Sequence, residues 1–278
     1  MGQTPSGVVA VNCVSALSIV RARTLSKQLG LPCWSTIPQT APSGQYVLCV
    51  GEQGLFLKTI GLQSTIQVDF VNGANAHRRY YGGGKGQLIA RAIGLKSNTI
   101  RPHLPLNVLD LTAGLGQDGF VLATLGCFVT LVERCTVVYQ LLHDGFYRAQ
   151  QFAQASETSD EELDKILLRM ELVEASAEDY LENMEEQPDI IYLDPMFPIR
   201  VKSAQVNKNM QALQVIAGKD DDAGKLLYKA LNKARFRVVV KRPQKAPALN
   251  QQYPNMVLPE PGLVLNGKST RYDVYFQT

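Results

Sequence analysis

From Asn107 onward the apolar residues of this chain fall into short continuous runs separated by longer amphipathic stretches, and this alternation restricts the fold more than any other feature. Val108 to Leu111, Phe128 to Val132, Glu171 to Val173, Ile190 to Leu193 and Arg237 to Val240 read as strands. About Gly116 to Leu125, Thr136 to Phe152, Ala177 to Met184 and Gly224 to Ala234 read as the intervening helices. Strict alternation implies a parallel, doubly wound α/β sheet, and strands apolar throughout their length are those covered on both faces. The end of the chain departs from this pattern. Leu263 to Leu265, the turn pair Asn266-Gly267 and Tyr272 to Phe276 predict an antiparallel hairpin.

Ahead of this unit the pattern is simpler. A strand at Val8 to Asn12, a helix at Ala16 to Leu29 stopped by Gly30 and Pro32, and strands at Tyr46 to Val50, Leu55 to Thr59 and Thr65 to Phe70 make a small α/β lobe over residues 1–71. Residues 72–104 form a basic, glycine-rich linker with a helix at Gln87 to Ile93, and residues 105–278 form the larger domain. A chain that is 45% hydrophobic and 19% charged is neither disordered nor of low complexity.

The net charge of +3 identifies no partner, but its distribution is uneven. Between Val71 and His103 there are six basic residues and no acidic one; Pro198 to Lys245 holds twelve basic residues against three aspartates; Gln154 to Asp194 holds fourteen carboxylates against Lys165 and Arg169. Such a chain can hold a polyanion along the first two segments and repel it from the third, or it carries solvated helix faces with no shared purpose. The odd cysteine count, with no C-x-x-C pair, suits reduced thiols in a cytoplasmic protein. His77, His103 and His143 lack metal-ligand spacing, and no metal is expected. Gly7 to Val20 is too short and too polar to span a bilayer, and it lacks the basic flank of a signal peptide, so no membrane partner is expected. The loose lipidation pattern at Met1 to Ser6 is read as chance.

Asp110-Leu111-Thr112-Ala113-Gly114-Leu115-Gly116-Gln117-Asp118-Gly119 ends the first parallel strand and opens a helix, with Gly114, Gly116 and Gly119 matching G-x-G-x-x-G. Glycines there let a cofactor approach the backbone where a side chain would collide. The loop alone serves NAD, FAD and S-adenosylmethionine equally. Asp110 is placed to meet the polar methionine and ribose portion of the methyl donor, and Glu133, at the end of the next strand, to take two ribose hydroxyls; Glu133 would serve NAD as well.

Asp194-Pro195-Met196-Phe197-Pro198 separates these possibilities. Methylation of an exocyclic base amine must orient a nitrogen whose lone pair is delocalised into the ring. A carboxylate can accept the amine's hydrogen bond, proline can stiffen the turn, and an aromatic ring can stack on the base. Lys241-Arg242-Pro243 ends the fifth strand on the same edge and reads equally as phosphate contacts with RNA or as a charged strand end without a ligand. His77-Arg78-Arg79 and Lys85, among glycines, form either a basic loop that covers RNA or the cofactor, or a linker rich in turns; Gly86 after Lys85 excludes a Walker A loop. No G-x-S-x-G and no Cys beside a His supports nucleophilic catalysis.

Together with Val68-Asp69-Phe70-Val71, Gly82-Gly83-Gly84, Lys202-Ser203-Ala204 and Val238-Val239-Val240, these motifs resemble the bacterial ribosomal RNA small subunit methyltransferase J family from about Val68 to the C-terminus, with the first 65 residues similar only in general character. The resemblance implies a class I S-adenosylmethionine-dependent methyltransferase fold, a Rossmann-like sheet closed by an antiparallel hairpin. It implies transfer of a methyl group to the N2 amine of a guanosine near the 3′ end of 16S rRNA, with S-adenosylhomocysteine as product. Cofactor contacts would fall on Gln117, Asp118, Glu133, Arg134, Ser176, Ala177 and Asp194, besides Asp110, Gly114 and Gly116. Gln117 stands where the family often has a basic residue, and Ala177 where it often has Ser. Asp194 and Phe197 would be catalytic; His77, Arg78, Arg79, Lys85, Lys202, Lys241 and Arg242 would meet rRNA or the small ribosomal subunit. Two other readings stay open: an NAD-dependent oxidoreductase, which leaves the D-P-M-F-P run without a role, and a non-enzymatic RNA-binding protein, which leaves the glycine loop idle.

Overall fold

The computed structural model describes residues 7–73, 79, 84–95, 104–155, 159–195, 208–218 and 222–277. Strands β6 (Asn107–Asp110), β7 (Phe128–Glu133), β8 (Met170–Glu174), β9 (Ile190–Leu193), β10 (Arg237–Pro243), β11 (Leu263–Asn266) and β12 (Thr270–Phe276) form one sheet in the order β11-β12-β10-β9-β6-β7-β8. β8, β7, β6, β9 and β10 run parallel; β12 is antiparallel to β10, and β11 to β12. The order reverses between β6 and β9, and a crevice at the carboxyl ends of these strands is where an open α/β sheet takes ligands.

Successive strand residues point to opposite faces, which divides the core in two. Val108, Ile190, Tyr192 and Val239 face the layer of α3 (Gln117–Thr124), α4 (Thr136–Gln154) and α5 (Glu161–Leu167). Leu109, Ile191, Leu193, Val238 and Val240 face α6 (Ala177–Asn183) and α8 (Ala223–Leu231). All four residues of β9 are buried, as the two-sided covering requires.

The first lobe is a second sheet of β1 (Val8–Cys13), β2 (Cys33–Trp34), β3 (Tyr46–Gly51), β4 (Gly54–Thr59) and β5 (Thr65–Ile66), in the order β2-β1-β3-β4-β5, flanked by α1 (Ile19–Leu29). Its core runs without a break into the first face of the large sheet. The lobes are joined by Asp144 on α4, whose side chain is 1% exposed. It accepts hydrogen bonds from Arg21 (2.6 Å), Arg148 (2.8 Å) and the Leu55 backbone N–H (3.0 Å), while Arg148 also donates to the Val68 carbonyl at 2.5 Å.

Several elements differ from expectation. The run Thr65 to Phe70 pairs only at Thr65–Ile66, because Asp69 accepts the Val71 and Asn72 backbone N–H groups and bends the chain away from the sheet. The first helix starts with a 3-10 turn, Ala16–Ser18, ahead of α1. Sequence reading missed β2, α5, α7 (Lys208–Ala217) and α9 (Leu249–Gln252). α5 lies within the acidic run, where its charges masked the buried stripe of Leu163, Ile166 and Leu167; Asp160 caps it by accepting the Leu163 N–H at 2.9 Å. α2 (Leu88–Ala92) falls inside its expected span. All five cysteines are free thiols, no helix of the described residues is long and apolar enough to cross a membrane, and no metal-ligating cluster occurs among the described residues.

Candidate active site

Strand ends β6, β7, β9 and β10 bring Asp110, Glu133, Asp194 and Lys241 to one edge of the large sheet. Between β6 and α3 the glycine loop is tied to the two strands that flank β6, namely β9 and β7. Leu111 N–H donates to the Tyr192 carbonyl (3.2 Å), Ala113 N–H to the Val132 carbonyl (3.1 Å) and Gly114 N–H to the Glu133 carboxylate (2.9 Å). Glu133 also accepts the Cys135 N–H at 2.7 Å, so it clamps the loop to the start of α4. Gly116 turns the chain into α3 with φ +72°, and a Cβ there would lie 2.6 Å from Leu142 Cδ1 and 3.2 Å from Phe70 Cζ. Only glycine fits both the conformation and the space. Phe70 stacks on Phe120 of α3 with ring centroids 4.8 Å apart, which seats the first lobe against the loop.

Asp110 does not face a ligand. It is 2% exposed, and its carboxylate accepts from Thr112 through the backbone N–H (3.0 Å) and the hydroxyl (3.4 Å). The Thr112 hydroxyl in turn accepts the Asp194 N–H at 2.6 Å, so Asp110 fixes the backbone of Asp194 through one intermediary. Burial pushes the Asp110 carboxyl up to about 8, with Asp118 and Asp194 adding to the rise and the Thr112 hydrogen bond and Lys241 opposing it. The expectation that Asp110 meets the cofactor is thereby corrected: it braces the loop.

Lys241 is also redirected. Its ammonium donates to Asp118 Oδ2 at 2.6 Å and to Asp194 Oδ2 at 2.8 Å, and the Tyr192 hydroxyl donates to the same Asp118 oxygen at 2.7 Å. Burial would lower the lysine pKa, but the two carboxylates outweigh it and raise it, so the side chain stays an ammonium. Burial and the same carboxylates hold Tyr192 far above the usual phenol range, and Tyr272 is pushed up to about 12, so both remain hydroxyl donors. Lys241 is therefore the counter-ion of a carboxylate pair and not a phosphate contact. Arg242 is likewise withdrawn from the RNA surface: it is 1% exposed and donates to the Pro247 carbonyl and to Gln252 (2.8 Å). Arg79 pairs with Asp160 at 2.5 Å with its side chain 4% exposed, which turns it inward as well.

The remaining expected residues divide. Ser176 caps α6 by accepting the Asp179 N–H at 3.0 Å, and Ala177 is the first residue of that helix. Arg134 pairs with Asp222 at 3.4 Å. Gln117 lines a cavity with Gln67, Val68, Asp69, Asn72, Gly73 and Leu115, beside the glycine loop. Lys85 is exposed in a short turn, Gly84–Gly86. His77, Arg78, Phe197 and Lys202 lie outside the described residues.

Sequence reading missed Tyr192, Thr112 and the true role of Lys241. A signal existed in strand parity: Tyr192 pairs with Val239 and Leu193 with Val240, so Lys241 follows β9 in register with Asp194, and Tyr272 lies across from it on β12. The use of that signal required the strand order.

The site carries three carboxylates, Asp110, Asp118 and Asp194, around one ammonium. With the Asp110 carboxyl held protonated, two carboxylates, Asp118 and Asp194, share the Lys241 ammonium, and a Cβ at Gly114 would meet nothing nearer than the Thr112 carbonyl at 4.0 Å; the surplus of negative charge beside open backbone fits a cationic cofactor. The sequence profile of the SAM-dependent methyltransferase family matches residues 34–277. The chain is 47% identical to the ribosomal RNA small subunit methyltransferase J of Cellvibrio japonicus over 259 residues, covering 91% of this chain and 92% of that protein. It is 45% identical to the protein of the same name from Pseudomonas aeruginosa over 268 residues, covering 95% and 93%. The chain belongs to the ribosomal RNA small subunit methyltransferase J family. It is an S-adenosylmethionine-dependent methyltransferase of class I fold. A crystal structure of a SAM-dependent methyltransferase from Neisseria gonorrhoeae superimposes with a TM-score of 0.67 at 31% identity, covering 96% of each chain. The family likeness thus reaches into the first lobe, which sequence motifs had linked to the family only from about Val68. The oxidoreductase and non-enzymatic readings fall away.

Proposed function

We propose that this enzyme transfers the methyl group of S-adenosylmethionine to the N2 amine of a guanosine in 16S rRNA, acting in the cytoplasm on naked RNA or on the small ribosomal subunit. The observation that carries this reading is Asp194. It stands one residue beyond β9, at the head of the sequence Asp194-Pro195-Met196-Phe197-Pro198, with its backbone held by Thr112 and one carboxylate oxygen held by Lys241. The two relatives above carry small-subunit rRNA in their names, and the N2 position follows from the resemblance of the D-P-M-F-P run to the family's motif.

Bound S-adenosylmethionine supplies a methyl group activated on a sulfonium. Gly114 leaves room for it at the backbone, Gly116 sets the turn of the loop, Asp118 and Asp194 offer it negative charge, Gln117 meets it at the start of α3, and Glu133, Arg134, Ser176 and Ala177 meet it at the ends of β7 and β8. Asp194 would accept a hydrogen bond from the target amine and Phe197 would stack on the base; as the amine nitrogen takes the methyl group the S–C bond of the sulfonium would break, S-adenosylhomocysteine would leave, and the amine proton would pass to Asp194 or to water. Catalysis of this kind is positioning, for which effective placement contributes ~7–11 kcal/mol. His77, Arg78, Lys85 and Lys202 remain as the basic groups for RNA phosphates.

The test is Asp194→Ala. Turnover should fall far more than affinity for S-adenosylhomocysteine measured by calorimetry; an equal loss of both would make Asp194 a cofactor ligand only.

A further inference from the structure

Lys241 is a firmly held cation at the sheet edge. Its ammonium lies 2.8 Å from Asp194 Oδ2 and 2.6 Å from Asp118 Oδ2. Asp118 is fixed from the other side by the Tyr192 hydroxyl at 2.7 Å, and Tyr192 is wholly buried on β9. Among the described residues the titratable groups that face Lys241 are Asp118 on α3, Tyr192 on β9, Asp194 after β9, Tyr272 on β12 and Asp110 on β6. Three of these are carboxylates, and Lys241 is the one cation that the described structure sets between them.

We infer that Lys241 is a positioning residue for methyl transfer: braced by Asp118, it pins one oxygen of Asp194 and keeps that carboxylate ionised as the acceptor for the target amine. The inference rests on the role given to Asp194 above. A protonated Asp194 would offer a donor where the amine needs an acceptor. A carboxylate close to another favours its protonated form, and an ammonium in contact with it offsets that repulsion. Lys241 meets that need without contacting substrate, and its position is fixed by the in-register pairing of β10 with β9, so no loop motion is needed to bring it there.

Lys241→Met removes the charge and keeps the length of the side chain. The direction follows from the chemistry. Loss of the cation favours the protonated form of Asp194, so the acid limb of the kcat profile moves to higher pH, and the variant is weakest at low pH and recovers as pH rises. The expected result is a deficit in kcat that is largest at the acid end of the profile and narrows as pH rises. Lys241→Arg, which keeps the charge, should leave the limb near its wild-type position. Asp118→Asn, which frees Lys241 to serve Asp194 alone, should not move it upward, whatever it costs in rate; this variant also decides the matter if Lys241→Met fails to fold.

A second measurement does not depend on methyl transfer. In protein labelled with carbon-13 at aspartate carboxyls, the Asp194 resonance, assigned by its loss in Asp194→Asn, should titrate at higher pH in Lys241→Met than in wild type. A uniform loss of kcat across pH in Lys241→Met, or an Asp194 resonance that titrates unchanged, overturns the inference. Absence of methyl transfer by the wild-type enzyme overturns the reading of Asp194 as catalytic instead, and the titration still decides whether Lys241 controls its ionisation.

Discussion

Among the described residues, the charge cluster at the junction of the lobes and the one at the carboxyl edge of the large sheet are built on opposite principles. At the junction of the lobes one carboxylate, Asp144, is shared by two arginines and a backbone N–H, so cations outnumber anions and every contact is made within the protein. At the carboxyl edge of the large sheet Asp118 and Asp194 share one lysine beside the protonated Asp110, so anions outnumber cations. The first arrangement is complete as it stands and holds two pieces together. The second leaves negative charge over, and a surplus of one sign in a crevice favours a ligand of the opposite sign. The comparison explains why the sequence motifs converge on one cluster and pass over the other.

The comparison breaks most sharply under two substitutions. Asp194→Ala should lower turnover by about a hundredfold or more. It should leave thermal stability near wild type, since it removes one of three crowded carboxylates; a large fall in melting temperature would place Asp194 in the structural class with Asp144. Asp144→Ala should do the reverse. It strands Arg148 and the Leu55 N–H at the lobe junction and should cost about 3 kcal/mol of stability by denaturant unfolding. Its folded fraction should keep the wild-type pH profile of kcat, and a shifted profile would mean that the lobe junction reaches the catalytic edge.

Gly116→Ala sharpens the contrast from the backbone side. The left-handed conformation and the close approach of Leu142 and Phe70 should together cost about 1–3 kcal/mol, together with a measurable loss of S-adenosylhomocysteine affinity; unchanged binding would separate the loop's conformation from its function.

A further effect is the pH dependence of stability through Asp110. Its folded carboxyl is raised to about 8, so its contribution to stability is fully present below the unfolded carboxylate range and is lost as pH rises towards 8. Asp110→Asn, which can still accept the Thr112 N–H, should flatten that decline between about pH 4 and 8. Chemical unfolding at several pH values reads it, and an undiminished slope would show that Asp110 stays ionised in the fold.

Much of this arrangement was legible before the structure, for identifiable reasons. The five parallel strands are short and, β8 apart, apolar on both faces, and each lies within a residue or a few of its expected span. The glycine loop and Asp194 were legible because their chemistry depends on local spacing. Lys241, Arg242 and Arg79 were misread for one shared reason. A basic residue in sequence looks like an RNA contact, but whether it faces solvent depends on which strand or helix lies beside it. Lys241 met two carboxylates from α3 and β9, Arg242 met the Pro247 carbonyl and Gln252, and Arg79 met Asp160. Asp110 was misplaced similarly: its strand-end position was right, but its carboxylate turned to Thr112 instead of outward.

The central claim is that the acidic edge around Asp194 methylates a guanine amine in small-subunit rRNA. The most direct measurement is transfer of labelled methyl from S-adenosylmethionine to unmodified 16S rRNA, naked and assembled with ribosomal proteins, followed by nucleoside analysis, with Asp194→Ala in parallel. The account expects label in N2-methylguanosine with the wild-type enzyme and none above background with the variant. Label in a different nucleoside, or no label in either substrate from an enzyme that still binds S-adenosylhomocysteine, would contradict it.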